Sequence, residues 1–185
     1  MRVISGTARG RKLREPSGTE IRPTSDMVKE SVFDIIQFDI EGRHVLDLFA
    51  GTGQLGIEAL SRGASSVVFV DSSAKAVDLV RCNIELCGFS AASIINKCDA
   101  LDYLENCGAF DLIIIDPPYN TALNHMAIEK IIEFDKLNTN GIIICEMKAD
   151  MPAPVVSPPY YLHREYIYGN VKVIRYEYCC IPRQL

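Results

Sequence analysis

The chain has 185 residues, 48% of them apolar, enough to bury one sizeable core but short for two independent domains. Its net charge of −5 argues mildly against a nucleic-acid partner, because phosphate contacts need lysine and arginine. No low-complexity tract or solenoid repeat is present, the aliphatic runs are too short to span a bilayer, and the opening lacks the apolar stretch of a secretory signal, so a cytoplasmic protein with no membrane partner is expected.

The distribution of charge says more than the sum. Residues 1–24 carry six basic side chains (Arg2, Arg9, Arg11, Lys12, Arg14, Arg22) against Glu15 and Glu20, a local charge of +4 that leaves −9 for the remainder. Within this basic arm, Arg2 to Gly6 and Arg11 to Arg14 read as two short strands around a turn containing Gly10, followed by Pro16, Gly18 and Pro23. After Pro23, Thr24 or Ser25 can cap a helix with Met27, Val28, Val32, Ile35 and Ile36 on one face, ending before Gly42. Residues 1–40 are therefore expected as a basic hairpin and helix extension of the same domain that occupies 41–185.

From Arg43 onward, strand candidates at Val45–Phe49, Ser66–Val70, Ser93–Asn96, Leu112–Ile115 and Ile142–Cys145 alternate with helical stretches at Gln54–Arg62, Ala74–Cys87, Leu101–Asn106 and Leu123–Phe134. That alternation predicts a doubly wound α/β fold with a parallel sheet. Tyr161–Tyr168 and Val171–Tyr178, joined at Gly169-Asn170, predict a C-terminal antiparallel hairpin closing the sheet edge.

Two loops carry the chemistry. The first runs Val45-Leu46-Asp47-Leu48-Phe49-Ala50-Gly51-Thr52-Gly53-Gln54-Leu55-Gly56, a G-x-G-x-x-G in its strand, turn and helix context. Glycine lets main-chain atoms touch a ligand and adopt positive φ, and the helix N-terminus offers N–H groups to it. Asp71, at the end of the next strand, can accept hydrogen bonds from vicinal ribose hydroxyls. NAD and S-adenosylmethionine both contain such a ribose, so the loop alone leaves hydride and methyl transfer open. Asp47 favours the second, since a carboxylate there would repel a pyrophosphate and suit an ammonium. Asp99, after the third strand, is placed to meet an adenine amino group, and Asp47, Asp71, Asp99 and Asp116 form a series at successive strand ends.

The second loop, Asp116-Pro117-Pro118-Tyr119, follows the buried run Phe110 to Ile115. Two prolines fix φ and remove two donors, leaving a stiff turn whose carbonyls can act as acceptors, with an aromatic face beside them. Asp116 and the Pro117 carbonyl can accept the two N–H bonds of an exocyclic amine, and Tyr119 can stack on an extruded base. Arg9, Arg11 and Lys12 would add phosphate contacts.

Seven cysteines, at 82, 87, 98, 107, 145, 179 and 180, include no C-x-x-C pair, and the odd count fits neither a disulfide framework nor a zinc site. Reduced thiols and no metal are expected.

With these residues in place, the chain resembles the bacterial small-subunit ribosomal RNA guanine-N2 methyltransferase family of the RsmD type. The resemblance runs from Met1-Arg2-Val3-Ile4-Ser5-Gly6 and Arg9-Gly10-Arg11-Lys12-Leu13, through Ile21-Arg22-Pro23-Thr24, Asp47 to Gly53 and Gly56 to Gly63, to Asp116-Pro117-Pro118-Tyr119 and the tail. It implies a seven-stranded Rossmann-like methyltransferase sheet, with S-adenosylmethionine as donor and S-adenosylhomocysteine as product. The implied acceptor is the exocyclic N2 of a guanine, guanine 966, in 16S ribosomal RNA of the small subunit or its assembly intermediate. Cofactor contacts are then expected at Thr24, Asp47, Phe49, Gly51, Thr52, Gly53, Asp71, Asp99 and Ala100, catalysis at Asp116 to Tyr119, and RNA contacts at Arg9, Arg11, Lys12 and Arg22. A monomer is favoured. Adenine-N6 or cytosine-N4 methylation of DNA or another RNA is the related alternative; a dinucleotide-dependent oxidoreductase and a non-catalytic nucleic-acid-binding protein are the alternatives of other classes.

Overall fold

The computed structural model describes residues 1–16, 26–118 and 122–179. Helices and strands alternate: α1 (Asp26–Ile35), β1 (His44–Leu48), α2 (Gln54–Ser61), β2 (Ser66–Asp71), α3 (Ala74–Cys87), β3 (Ser93–Lys97), α4 (Ala100–Asn106), β4 (Phe110–Ile115), α5 (Leu123–Glu133), β5 (Leu137–Lys148), β6 (Tyr160–Tyr168) and β7 (Val171–Tyr178). The seven strands make a mixed sheet, and the fold is α/β. The chain divides into two compact units, Met1–Ala100 and Leu101–Leu185. Among the described residues no helix is long and apolar enough to cross a membrane.

In the first unit the strand order is β3-β2-β1, all parallel, with Val45 opposite Val67 and Val68 opposite Ile94. In the second the order is β4-β5-β7-β6; β4 and β5 are parallel, while β7 is antiparallel to both β5 and β6. Val45, Leu46, Val67 to Val70 and Leu112 to Ile115 are buried. Such continuous apolar runs belong to strands covered on both faces, as a sheet with crossover helices requires. Ser73 caps α3 by accepting the Ala76 N–H, and Gly88, at φ 78°, ends it, which fixes the predicted Ala74–Cys87 limits. Gly169, at φ 60°, makes the β6–β7 turn.

Three expectations change. The apolar face of α1 is Val28, Val32 and Phe33 with Ile36 just beyond it; Met27 is 63% exposed. The predicted cap at Thr24 or Ser25 lies outside the described residues. The fifth strand is not Ile142–Cys145 but Leu137–Lys148, because Asn140, at φ 61°, absorbs a bulge between the pairs Phe110–Leu137 and Leu112–Ile142 rather than ending the strand.

The third change is in the arm. Two strands were expected, and a single antiparallel bridge, Arg2 to Lys12, is found. Around that bridge Val3 N–H donates to the Arg11 carbonyl at 3.0 Å and Leu13 N–H to the Met1 carbonyl at 3.2 Å, but from Ile4 to Ala8 the backbone donors turn to α2 and the pairing goes no further. Glu58 Oε2 accepts from Ile4 N–H at 2.8 Å and Glu58 Oε1 from Ser5 N–H at 2.9 Å, while Arg62 Nε donates to Oε1 at 2.9 Å. Ser61 Oγ accepts from Ala8 N–H at 2.9 Å, and Ser61 carbonyl accepts from Thr7 N–H at 2.8 Å. Gly6 is required there: a Cβ would stand 1.7 Å from the Ser61 carbonyl oxygen. The arm is thus hooked onto α2 by a fully buried carboxylate.

Glu58→Ala would leave two arm N–H groups and Arg62 without their acceptor, and we expect a loss of about 3 kcal/mol or more. Urea unfolding measures it, together with faster tryptic cleavage at Arg9 and Arg11; an unchanged midpoint and cleavage rate would show that the arm is held by other contacts.

Candidate functional site

The first loop leaves β1 through Phe49 at φ 66°, Gly51 at φ 55° and Gly53 at φ 76°, three left-handed residues among five. Glycine takes that region without steric cost, whereas Phe49 carries about 1–3 kcal/mol of backbone strain. The turn closes on itself by Gly53 N–H to the Ala50 carbonyl at 2.7 Å and is stitched to β2 by Ala50 N–H to the Val70 carbonyl at 2.9 Å.

Asp71 closes β2, and its carboxylate is divided between two backbone donors. Oδ2 accepts Gly51 N–H at 2.8 Å and Oδ1 accepts Ser73 N–H at 2.8 Å. An ionised carboxylate has about two acceptor positions per oxygen, so each oxygen keeps one for hydroxyls of a ligand. Gly51 and Gly53 add no Cβ on the turn, and at Gly53 one would stand 3.2 Å from Val80 Cγ2. Backbone open to close approach, beside a carboxylate with spare acceptors, fits a ligand carrying a ribose diol.

Asp47 sits elsewhere than expected. It is 1% exposed, and its Oδ2 accepts Gly56 N–H from α2 at 2.9 Å. It therefore braces the start of the helix from inside rather than walling an open crevice. The third glycine of the motif makes this possible: a Cβ at Gly56 would lie 2.3 Å from Phe69 Cε1 and 2.9 Å from Asp47 Oδ2. Thr52 is buried, Phe49 half-buried, Asp99 exposed immediately before α4, and Ala100 buried as its first residue. Thr24 lies outside the described residues.

The second loop leaves β4 with Asp116 half-buried, Pro117 buried and Pro118 exposed; Tyr119 lies outside the described residues. Ile115 is paired with Cys145 on β5. Burial pushes the Cys145 thiol up to about 12, the charges of Asp116 and Glu146 push in the same direction, and the Asn124 amide at 3.2 Å from Sγ opposes them. Asn124 also donates to the Glu146 carbonyl at 2.7 Å, pinning the end of β5 to α5.

Of the basic residues, Arg9, Arg11 and Lys12 are exposed on the arm, and Arg22 lies outside the described residues. The sequence motifs give no warning of Asn83, a fully buried amide on α3. Its Oδ1 accepts Arg14 N–H at 2.7 Å, and its Nδ2 donates to the Arg14 carbonyl at 3.2 Å and to the Thr52 carbonyl at 3.0 Å. One side chain ties the arm to the glycine turn. The signal was present as an asparagine on the stripe of Val77, Val80 and Ile84, where an unpaired amide would be costly. Among the described residues no group of three or more His, Cys, Asp or Glu is arranged to hold a metal ion.

Comparison with known proteins gives the following. The model of the family described as "Conserved hypothetical protein 95" matches residues 1–177. A protein of Bacillus subtilis (strain 168), named provisionally as the rRNA methyltransferase YlbH, is 36% identical over 181 residues, 96% of this chain and 98% of its own. The ribosomal RNA small subunit methyltransferase D of Escherichia coli (strain K12) is 30% identical over 178 residues, 96% of this chain and 89% of its own. A solved structure from Escherichia coli, described provisionally as a methyltransferase, superimposes with a TM-score of 0.89 at 27% identity, covering 98% of this chain and 99% of that one.

Asn83→Ala cuts the link between Arg14 and Thr52. We expect hydrogen exchange to accelerate at both ends of that link, at Thr52 to Gln54 and at Arg14, by at least tenfold. Exchange unchanged at the turn would mean that Asp47 and Asp71 alone hold it.

Proposed function

We propose, from the premise that this chain belongs to the conserved hypothetical protein 95 family, that it is an S-adenosylmethionine-dependent methyltransferase of 16S ribosomal RNA acting on the exocyclic N2 of a guanine, guanine 966. The relationship carries the assignment: relatives that span nearly the whole of this chain bear the name ribosomal RNA small subunit methyltransferase D. The substrate is the small subunit or its assembly intermediate, the enzyme works as a monomer, and its place is the cytoplasm.

Gly51, Thr52, Gly53 and Asp71 hold the cofactor, with Asp71 accepting from the ribose hydroxyls on the acceptor positions that Gly51 and Ser73 leave open. Phe49, Asp99, Ala100 and Thr24 complete its surroundings, and Asp47 acts through the loop it braces. When bound, S-adenosylmethionine supplies an electrophilic sulfonium methyl and leaves as S-adenosylhomocysteine.

An exocyclic amine is a poor nucleophile because its lone pair is delocalised into the ring. Asp116 and the Pro117 carbonyl accept its two N–H bonds, which favours a pyramidal nitrogen and turns the lone pair toward the donor. The gain comes from positioning and electrostatics. Pro117 and Pro118 keep the turn stiff, so the acceptors need little reorganisation as the bond forms. Tyr119 stacks on the extruded base, at about 1–3 kcal/mol on the scale of base–aromatic contacts, against an unstacking cost of a few kcal/mol. Arg9, Arg11, Lys12 and Arg22 contact phosphates and supply affinity with little sequence information.

Digestion of methylated small subunits to nucleosides should yield N2-methylguanosine; N6-methyladenosine or N4-methylcytidine in its place would redirect the base assignment. Asp116→Ala should abolish transfer with cofactor affinity kept within about threefold, because Asp116 acts on the acceptor amine. Comparable loss of cofactor binding would contradict that role. For the arm, Arg11→Glu with Lys12→Glu should weaken substrate binding and reduce the slope of log affinity against log salt by about two, leaving cofactor affinity unaltered. An unchanged slope would make the arm's charges a matter of solubility.

A further inference from the structure

The register of the second unit carries a level from the catalytic loop to the outer strand. Ile115 is opposite Cys145, Cys145 opposite Ile174, Glu146 opposite Val173, and Val173 opposite Tyr166. Asp116 follows Ile115, so its level is that of Glu146, Val173 and Tyr166. Three strand spacings of roughly 4.8 Å put Tyr166 about 14 Å along that row. Beyond it, Lys148 is opposite Val171 and Val171 opposite Tyr168, and Ala149 N–H donates to the Asn170 carbonyl at 3.0 Å. The β6–β7 turn therefore projects at the carboxyl end of β4 and β5, where open α/β sheets receive their ligands.

Paired residues, and residues two apart, share a face of the sheet. Arg164, Tyr166 and Tyr168 consequently form a stripe along β6, with Lys148 on the same face of β5. The Arg164 guanidinium lies 5.3 Å from the centre of the Tyr166 ring. Arg164 stands directly opposite Arg175, whose Nε is 2.7 Å from Glu177 Oε1. Like charges facing each other across a ladder are unfavourable unless an anion joins them.

Partnering separates this stripe from the other face of the hairpin. There Lys172 Nζ is 3.2 Å from Glu165 and 2.7 Å from the Met151 carbonyl, Tyr176 donates to the Pro154 carbonyl at 2.9 Å, and Tyr160 donates to Asp135 at 3.1 Å. On the stripe, among the described residues, no carboxylate pairs with Arg164 or Lys148 and no acceptor meets the Tyr166 or Tyr168 hydroxyl.

We propose that Arg164, Tyr166, Tyr168 and Lys148 form a second RNA contact that holds the unpaired nucleotides beside the acceptor base. This rests on the function proposed above. The two cations take phosphates, and the two rings stack on bases; a positively charged track interleaved with aromatics is how single strands are held without sequence readout. Positions two apart on a strand are about 7 Å from each other, twice the roughly 3.4 Å rise of stacked bases, so one base fits between consecutive rings. The surplus of unpaired cations suits a polyanion better than a second copy bearing the same charges.

The test is steady-state methylation of small subunits from cells lacking the enzyme, by the wild type and by Tyr166→Ala, Tyr168→Ala, Tyr166→Phe and the pair Arg164→Ala with Lys148→Ala. We expect KM for the subunit to rise about tenfold in each alanine variant of tyrosine, with a much smaller change in kcat. Tyr166→Phe, which keeps the ring, should restore most of the loss, and the cation pair should flatten the salt slope by about two. An active wild type whose variants keep its KM and slope overturns this contact alone. A wild type that methylates no ribosomal particle overturns the proposed function and the contact with it. A wild-type dimer that dissociates in the variants assigns the stripe to a second copy and also overturns it.

Discussion

A turn with three left-handed residues among five cannot be held by its own backbone, and the first unit is organised around bracing the one at Phe49 to Gly53. Two of the braces are carboxylates and the third is an amide. Asp71 accepts from Gly51 N–H, Asp47 accepts from Gly56 N–H in the first turn of α2, and the Asn83 amide donates to the Thr52 carbonyl. Hydrogen bonds to charged groups contribute about 1.5–3 kcal/mol each, so the two carboxylates together offset the roughly 1–3 kcal/mol of strain at Phe49. The helix can come this close to β1 and β2 because Gly56 has no side chain to set against Phe69.

Most of this frame was legible in the residues because two signals are strictly local. Buried parallel strands are short apolar runs, and helices between them carry stripes at spacings of three and four, so α3 and β7 fall where the pattern puts them. The glycine loop was legible for the same reason, since its requirement is a backbone shape. What stayed hidden depends on distant partners. The arm reads as two strands because its alternation is strand-like, yet the pairing stops after one bridge because the N–H groups of Ile4, Ser5 and Ala8 are claimed by Glu58 and Ser61 more than fifty positions away, and no local pattern reveals that. Asp47 reads as a wall of the cleft because it stands near a strand end; only the position of Gly56 N–H decides which way its carboxylate is used.

The acidic composition reads differently once burial is known. Asp47, Glu58 and Glu146 belong to the −9 body, and all three are buried; the first two accept backbone N–H groups. Carboxylates used inside the protein do little to repel a polyanion at the surface, because long-range repulsion comes from exposed charge. Arg9, Arg11 and Lys12, by contrast, are exposed, and the segment that carries them is fixed to α2 and α3 rather than trailing. Net charge therefore understates what a phosphate backbone would meet.

The second loop is stiffened by covalent means, and its electrostatics depend on what lies beneath. Cys145 is fully buried on the strand paired with β4, and the neighbouring Asp116 and Glu146 charges add to desolvation in holding its proton well past neutrality. The thiol is therefore uncharged at neutral pH and adds no negative charge beside Asp116. Hydrogen bonds formed in such partly buried surroundings are stronger than they would be in water. The hold on an amine by its two N–H bonds proposed above would draw on that setting, since Asp116 is half-buried at the end of the buried apolar run from Leu112 to Ile115.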